Sequence, residues 1–234
     1  MALFEKIKYY KNILTEDYAK YVDKIEAKNI VHEMAGDLVE CAKLIRILQN
    51  PDDIHESDLN TNHIIKSAHG CGWNISIEDT TTIESIKKSL HAWNRHYIGS
   101  KEIQYSFIEP RFYIEEKIED SVLGRTANAI VYLIRCIHGN PFAIGVRTKK
   151  GQNSYDLNWN PIKSIQVQNI EKPKQFEKML EIAKRLSKPF EFVRIDLYIG
   201  KDDVIYFSEF TFTPSGGNRF YVMQKEKEFG KLWN

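Results

Sequence analysis

Four polar side chains recur at two-residue intervals near the end of the 234-residue chain: Arg194 and Asp196 within EFVRIDLYI (191–199), and Glu209 and Thr211 within VIYFSEFTF (204–212). Both stretches are rich in β-branched and aromatic residues, and alternate residues of a strand share a face, so each pair projects from one side. The Gly200-Lys201-Asp202-Asp203 connection predicts a hairpin that pairs Ile199 with Val204, sets Arg194 opposite Glu209 and gathers all four side chains on one face. Val193, Ile195, Leu197, Phe210 and Phe212 then form the opposite, apolar face. Two converging carboxylates suit a hard divalent cation such as Mg²⁺, which takes one or two carboxylates together with phosphate oxygens and water. Thr211 adds a neutral oxygen, and Arg194 can grip a phosphoryl group or a developing anion bidentately. Spacing alone also allows a structural Arg194–Glu209 ion pair on a solvated sheet face.

A second candidate lies in HIIKSAHGCGWNISIE (63–78), where β-prone runs at 63–67 and 75–78 flank a loop holding Gly70 and Gly72. Glycines let backbone N–H groups approach an anion closely, and Lys66 on the entering strand can reach a phosphate. An ordinary hairpin turn with an exposed lysine fits the same residues. Cys71 at the tip would need a base such as His69 or His63 to act as a nucleophile, and the sequence fixes no such partner. The seven histidines show no metal-ligand spacing.

The elements around these candidates are legible to different degrees. Residues 1 to about 50 read as short helices with breaks near Gly36 and Pro51, their apolar positions including Ile25, Ile30, Val31, Leu38, Leu44, Ile45 and Leu48. Thr81 and Glu84 resemble a capping box, and Ile83, Ile86, Leu90, Trp93 and Tyr97 continue as a helical stripe over the glycine hairpin. FYIEEKI (112–118), AIVYLIRCI (129–137) and FAIGVRT (142–148) predict strands of one mostly antiparallel sheet. Pro173 opens a helix whose Phe176, Met179, Leu180, Ala183 and Leu186 form a stripe that must lie on a sheet.

Composition narrows the functional classes. With 42% hydrophobic and 12% aromatic residues the chain can bury one sizeable core or two fused small lobes. Lys and Arg total 33 against 32 Asp and Glu, and a net charge of +1 supplies no field for nucleic acid or an anionic membrane. Three widely spaced cysteines suggest a reducing compartment, and the charged start Met-Ala-Leu-Phe-Glu-Lys lacks a signal-peptide run. With no stretch of membrane-span length, a cytoplasmic location is expected.

Taken in order, YVDK (21–24), HIIKSAHGCGWN (63–74), FYIEEKI (112–118), IRCIHGNP (134–141), YDLNW (155–159), KPKQFEKMLEIAKRLS (172–187), FEFVRIDLY (190–198) and IYFSEFTFTPSGG (205–217) resemble the ATP-grasp superfamily, and in detail its TupA-like branch. The resemblance implies an α+β fold of two lobes with mainly antiparallel sheets and ATP between them, the N-terminal lobe short or absent. It divides the chain into a helical segment (1–60), a small lobe with the glycine hairpin (61–111) and a large lobe with the metal site (112–234). It implies ATP and Mg²⁺ as cofactors and a ligase that joins a small-molecule carboxylate to an amine or glycan through an acyl phosphate, in a setting of polysaccharide or glycan synthesis. Lys66, His69, Gly70 and Gly72 then correspond to the lysine and loop at the phosphates, and Glu115, Glu116 and Ile118 to the segment at the adenine edge. Asp196, Glu209 and Thr211 take the metal positions, Arg194 steadies the transferred phosphoryl group, and Gly216 and Gly217 offer backbone donors. One departure stands out: the branch's Asp-Tyr-Lys triplet reads Val131-Tyr132-Leu133, which leaves Arg135, two residues on and on the same strand face, as a substitute cation. A kinase acting on a hydroxyl and a non-catalytic nucleotide-binding module remain alternatives.

Overall fold

The computed structural model describes residues 1–99, 101–124, 129–162 and 170–233. In chain order the elements are α1 (Leu3–Ile13), α2 (Ala19–Val22), α3 (Glu26–Ala35), β1 (Glu40–Cys41), β2 (Leu44–Leu48), β3 (His63–Ser67), β4 (Asn74–Ser76), α4 (Ile83–Trp93), β5 (Phe112–Glu116), β6 (Val131–Ile137), β7 (Asn140–Thr148), β8 (Gly151–Tyr155), α5 (Phe176–Ser187), β9 (Phe192–Ile199), β10 (Ile205–Thr211) and α6 (Met223–Gly230). The described residues form two sheets, ordered β1-β10-β9-β6-β7-β8 and β2-β5-β3-β4. Every pairing is antiparallel except the short parallel contact of β1 with β10.

The apolar stripe of α5 is the reason for its position: Phe176, Met179, Ile182, Ala183 and Leu186 are buried with Val193, Ile195, Leu197, Phe210 and Phe212 in one large core. Burying one face of the large sheet under α5 leaves its other face free for polar side chains, which is what positions the site. A smaller core of Leu48, Ile65, Ile86, Leu90, Phe112 and Ile114 seats α4 on the second sheet. Among the described residues, no helix is long and apolar enough to cross a membrane.

Several expectations are corrected. Leu44–Leu48 is a strand, not helix: Ile45 and Ile47 are β-branched, and pairing with β5 outweighs the helix-like spacing of Leu44 and Leu48. The 1–60 segment is therefore not wholly helical, and contributes one strand to each sheet. Phe112–Glu116 joins the small sheet between β2 and β3, not the large sheet, because β3 supplies its closest antiparallel partner. The N-cap of α4 is Thr82, whose hydroxyl accepts the Ser85 N–H at 3.2 Å. Thr81 Oγ1 instead accepts the Glu78 N–H at 2.9 Å.

The β9–β10 register also differs, in a way that bears on chemistry. Ile199 pairs with Ile205, not Val204, and unbroken pairing from there would set Arg194 opposite Phe210 and turn Glu209 to the other face. A bulge between Phe207 and Glu209 inserts Ser208 and restores the parity, so that Asp196 faces Glu209 and Arg194 faces Thr211. All four side chains therefore share the face away from α5.

Candidate active site

The four predicted side chains form one hydrogen-bonded group. Arg194 donates from Nε to Asp196 Oδ1 at 2.6 Å and from Nη2 to Asp196 Oδ2 at 2.7 Å. The same Nη2 donates to Thr211 Oγ1 at 3.0 Å and to Glu209 Oε1 at 3.2 Å. Asp196 is fully buried and Arg194 nearly so, which excludes an ion pair on a solvated face. Burial, and then the neighbouring Glu209 carboxylate, push Asp196 up to about 7 despite Arg194. Glu209 is held below the usual carboxylate range, because Arg194, Lys24 and Arg147 outweigh its burial. The cations thus favour the half-buried Glu209 as the charged carboxylate and leave the fully buried Asp196 the more easily protonated of the two.

Such a donor set fits Mg²⁺. Among the described residues no group of three or more His, Cys, Asp or Glu gathers to hold a metal, so a cation here has two carboxylates, which is the usual protein share for Mg²⁺ on a nucleotide phosphate. The proton-binding tendency of Asp196 marks the excess negative charge that a cation would relieve.

Between the sheets lies a cleft of about 270 Å³. Ile64, Lys66, Ser76, Tyr113, Glu115, Glu116 and Ile118 line it from the small-sheet side, Val131, Arg147, Tyr198 and Phe207 from the large. Lys66 pairs with Glu115 Oε1 at 2.5 Å and Lys28 with Glu115 Oε2 at 2.7 Å, and Lys28 also donates to the Ala42 carbonyl at 2.7 Å. Burial alone would neutralise these groups, but the opposite charges keep Glu115 below and Lys66 above their ordinary values. Glu115 therefore locks two lysines along the cleft wall, a side-chain role beyond the backbone role that the resemblance implied. Glu116 is more open and pairs with Lys43 at 3.3 Å.

The glycine hairpin meets this region at its tip. Lys24 Nζ donates to the Gly70 carbonyl, and Tyr105 Oη lies 3.5 Å from the same amine. A Cβ on Gly70 would come within 2.5 Å of the Trp73 ring, whereas Gly72 has open space and a φ of 74°. Gly70 is thus needed for close packing and Gly72 for its left-handed turn. His69 does not line the cleft. It is fully buried, Nδ1 accepts the Arg111 N–H at 3.2 Å and lies 3.0 Å from Ser67 Oγ, and Nε2 lies 2.9 Å from the Trp93 carbonyl. A neutral ring with the proton on Nε2 satisfies all three, and burial lowers its pKa accordingly. His69 braces the loop from behind and does not serve Cys71 as a base; the Cys71 thiol, exposed at the tip of a crowded loop, is pushed up to about 11 by desolvation and by Glu102 and Glu209.

Two further expectations change. Arg135 is buried beneath Phe220 and Tyr221 and does not line the interlobe cleft, whereas Arg147 on β7 does, with Nη2 3.9 Å from Asp196 Oδ2. Gly216 donates its N–H to the Thr213 carbonyl at 2.8 Å, so the turn itself consumes that donor. A Cβ on Gly217 would meet Lys8 of α1 at 2.7 Å, so this glycine admits α1 against the loop. Lys24, Lys28 and Arg147 were not singled out from sequence. Alternation could have found Arg147, since Val131, its cross-strand partner, shares a face with Leu133 and Arg135.

Comparison with known proteins agrees with this architecture. The model of the family described as TupA-like ATPgrasp matches residues 5–233. No curated protein matches. Among solved structures, an L-amino acid ligase from Bacillus licheniformis superposes with a TM-score of 0.53 at 12% identity, over 84% of this chain and 44% of that one. The D-alanine–D-alanine ligase from Bacillus anthracis, complexed with ATP, gives 0.53 at 16% identity, over 90% of this chain and 60% of that one. At such identities the likeness shows the fold, and this chain spans about half the length of these ligases. Two sheets enclosing a basic cleft, and a carboxylate pair on the buried edge of a hairpin, are here joined to a family match over nearly every residue: the chain belongs to the TupA-like ATP-grasp family.

Proposed function

We propose that the protein is an ATP-dependent, ADP-forming carboxylate–amine ligase that works through an acyl phosphate. The observation that carries this reading is the buried Arg194–Asp196–Glu209–Thr211 group beside a lysine-lined cleft. Mg²⁺, held by Asp196 and Glu209 with Thr211 beside them, would neutralise charge at the transferring phosphoryl group. Lys66, fixed by Glu115, offers its charge to the nucleotide phosphates, with Glu116 and Ile118 at the base edge. A carboxylate oxygen of the first substrate attacks the γ-phosphorus as ADP leaves. The amine then attacks the acyl carbon, loses a proton and expels phosphate. Arg194 stands where charge develops in both steps. The named ligases of similar fold support amide formation, and an amino acid with a uronic or amino acid, in the synthesis of a surface polysaccharide, fits the reading best.

ADP release should be measured across pairs of carboxylates and amines. Release that needs both partners, with an amide as product, is expected. Release with a hydroxyl acceptor alone and a phosphate ester as product would replace ligation by a kinase reaction.

A further inference from the structure

Arg135 is the largest fully buried side chain among those described, at 1% exposure, and its Nε and Nη1 have no hydrogen-bond partner among the described residues. A buried cation without a partner is costly, and it persists where something else requires it. Two more orphaned groups are close in the fold. Tyr221, whose ring lies 5.5 Å from the guanidinium carbon, has an unpartnered buried hydroxyl. So does Ser154, the cross-strand neighbour of Gly145, while an added Cβ at Gly145 would stand 3.3 Å from Arg135 Nη1. Gly145 thus lets the Gln152 amide, 2.8 Å from that Cβ position, and the Arg135 guanidinium come close to the strand.

The guanidinium is held by its faces. Phe220 stacks on it at 4.9 Å, and the backbone N–H groups of Phe220 and Tyr221 both donate to Glu226 at 2.9 Å, which fixes the two rings. Glu226 also accepts the Phe4 N–H at 3.1 Å, so its hydrogen bonds go to backbone and none to Arg135, on which it acts only through its charge. Aromatic contacts on the faces leave the Nε and Nη1 donors on the edges for a planar anion. Arg135 pairs directly with Arg194 across β6 and β9 and shares its sheet face.

We propose that Arg135, Ser154 and Tyr221 form a subsite for the non-reacting carboxylate of the amine substrate, which is therefore an α-amino acid. Adjacent strands lie about 5 Å apart. In an α-amino acid one carbon separates amine from carboxylate, so a carboxylate on Arg135 leaves its amine within reach of a carbonyl activated at Arg194. The inference rests on the ligase reading and assigns Arg135 to substrate in place of nucleotide.

The test uses the whole protein with Mg²⁺ and ADP, and thermal shifts with each common L-amino acid and with the matching carboxamide. At least one amino acid should stabilise the protein while its carboxamide does not. Arg135→Met should abolish that shift, keep the Mg²⁺–ATP shift, and melt no lower than wild type, because it removes an unpaired buried charge. The double variant Ser154→Ala with Tyr221→Phe should weaken amino-acid affinity about 10- to 100-fold, and it provides the reading if Arg135→Met does not fold. A nucleotide shift with equal response to acids and carboxamides, or with none, overturns the subsite alone. Absence of any nucleotide shift overturns the ligase reading and the subsite with it.

Discussion

Two buried charge clusters line this molecule, and they are compensated differently. In the first, Glu115 sits between Lys28 and Lys66, and every charge there is stabilised by an opposite one. In the second, Arg194 faces both Asp196 and Glu209, and the compensation is incomplete enough that Asp196 is pushed up to about 7. The signs are reversed: the first cluster sets two ammonium groups against one carboxylate, the second two carboxylates against one guanidinium, and an excess of negative charge is what a divalent cation would offset. On the ligase reading proposed above, the first cluster positions lysines along the cleft and the second would hold the metal at the nucleotide phosphates.

If that division is correct, substitutions in the two clusters separate stability from activity. Glu115→Gln leaves two half-buried ammonium groups without their buried counter-charge and should cost about 3 kcal/mol, measured by denaturant unfolding. A loss below 1 kcal/mol would put Glu115 among solvent-screened pairs. Glu209→Gln keeps the shape of the second cluster and should reduce turnover about 10²-fold, near 2.7 kcal/mol, with little change in melting temperature. A modest stability loss with normal turnover would make this group merely structural.

How far these clusters were legible from sequence follows from how local their causes are. Alternation along β9 and β10 and the 3.6-residue stripe of α5 lie within single segments, so the shared face of Arg194, Asp196, Glu209 and Thr211 could be read directly. That reading reached the correct face through an incorrect register: the real turn is one residue longer, and the Ser208 bulge restores the parity. The membership of Phe112–Glu116 in the small sheet, and the arrival of Lys24, Lys28 and Arg147, depend on which distant strands meet. The resemblance to ATP-grasp enzymes, not spacing, pointed to the cleft. It grouped His69 and Arg135 with the nucleotide-binding residues, whereas both are buried outside the cleft lining, in surroundings that only the fold reveals.

A smaller effect concerns pH. Asp196 holds a proton up to about 7 in the folded chain against about 3.9 unfolded, so the metal-free protein loses stability as pH rises through that window. Mg²⁺ with nucleotide would displace this proton. The melting-temperature gain from Mg²⁺ and ATP should therefore grow from about pH 6 to about pH 8, and a gain that shrinks over that range would contradict the assignment. The smallest effect is expected at the hairpin tip, where Cys71→Ser should leave turnover within about twofold, since the raised thiol pKa makes it a poor nucleophile.

The most direct test is a crystal structure with Mg²⁺ and a non-hydrolysable ATP analogue. The account predicts the nucleotide between the two sheets, its phosphates beside Lys66, and a cation bound by both Asp196 and Glu209, with Arg194 turned toward the γ-phosphate. A nucleotide bound elsewhere, or one bound in the cleft while Arg194 remains bidentate on Asp196 and no cation joins the two carboxylates, would contradict it.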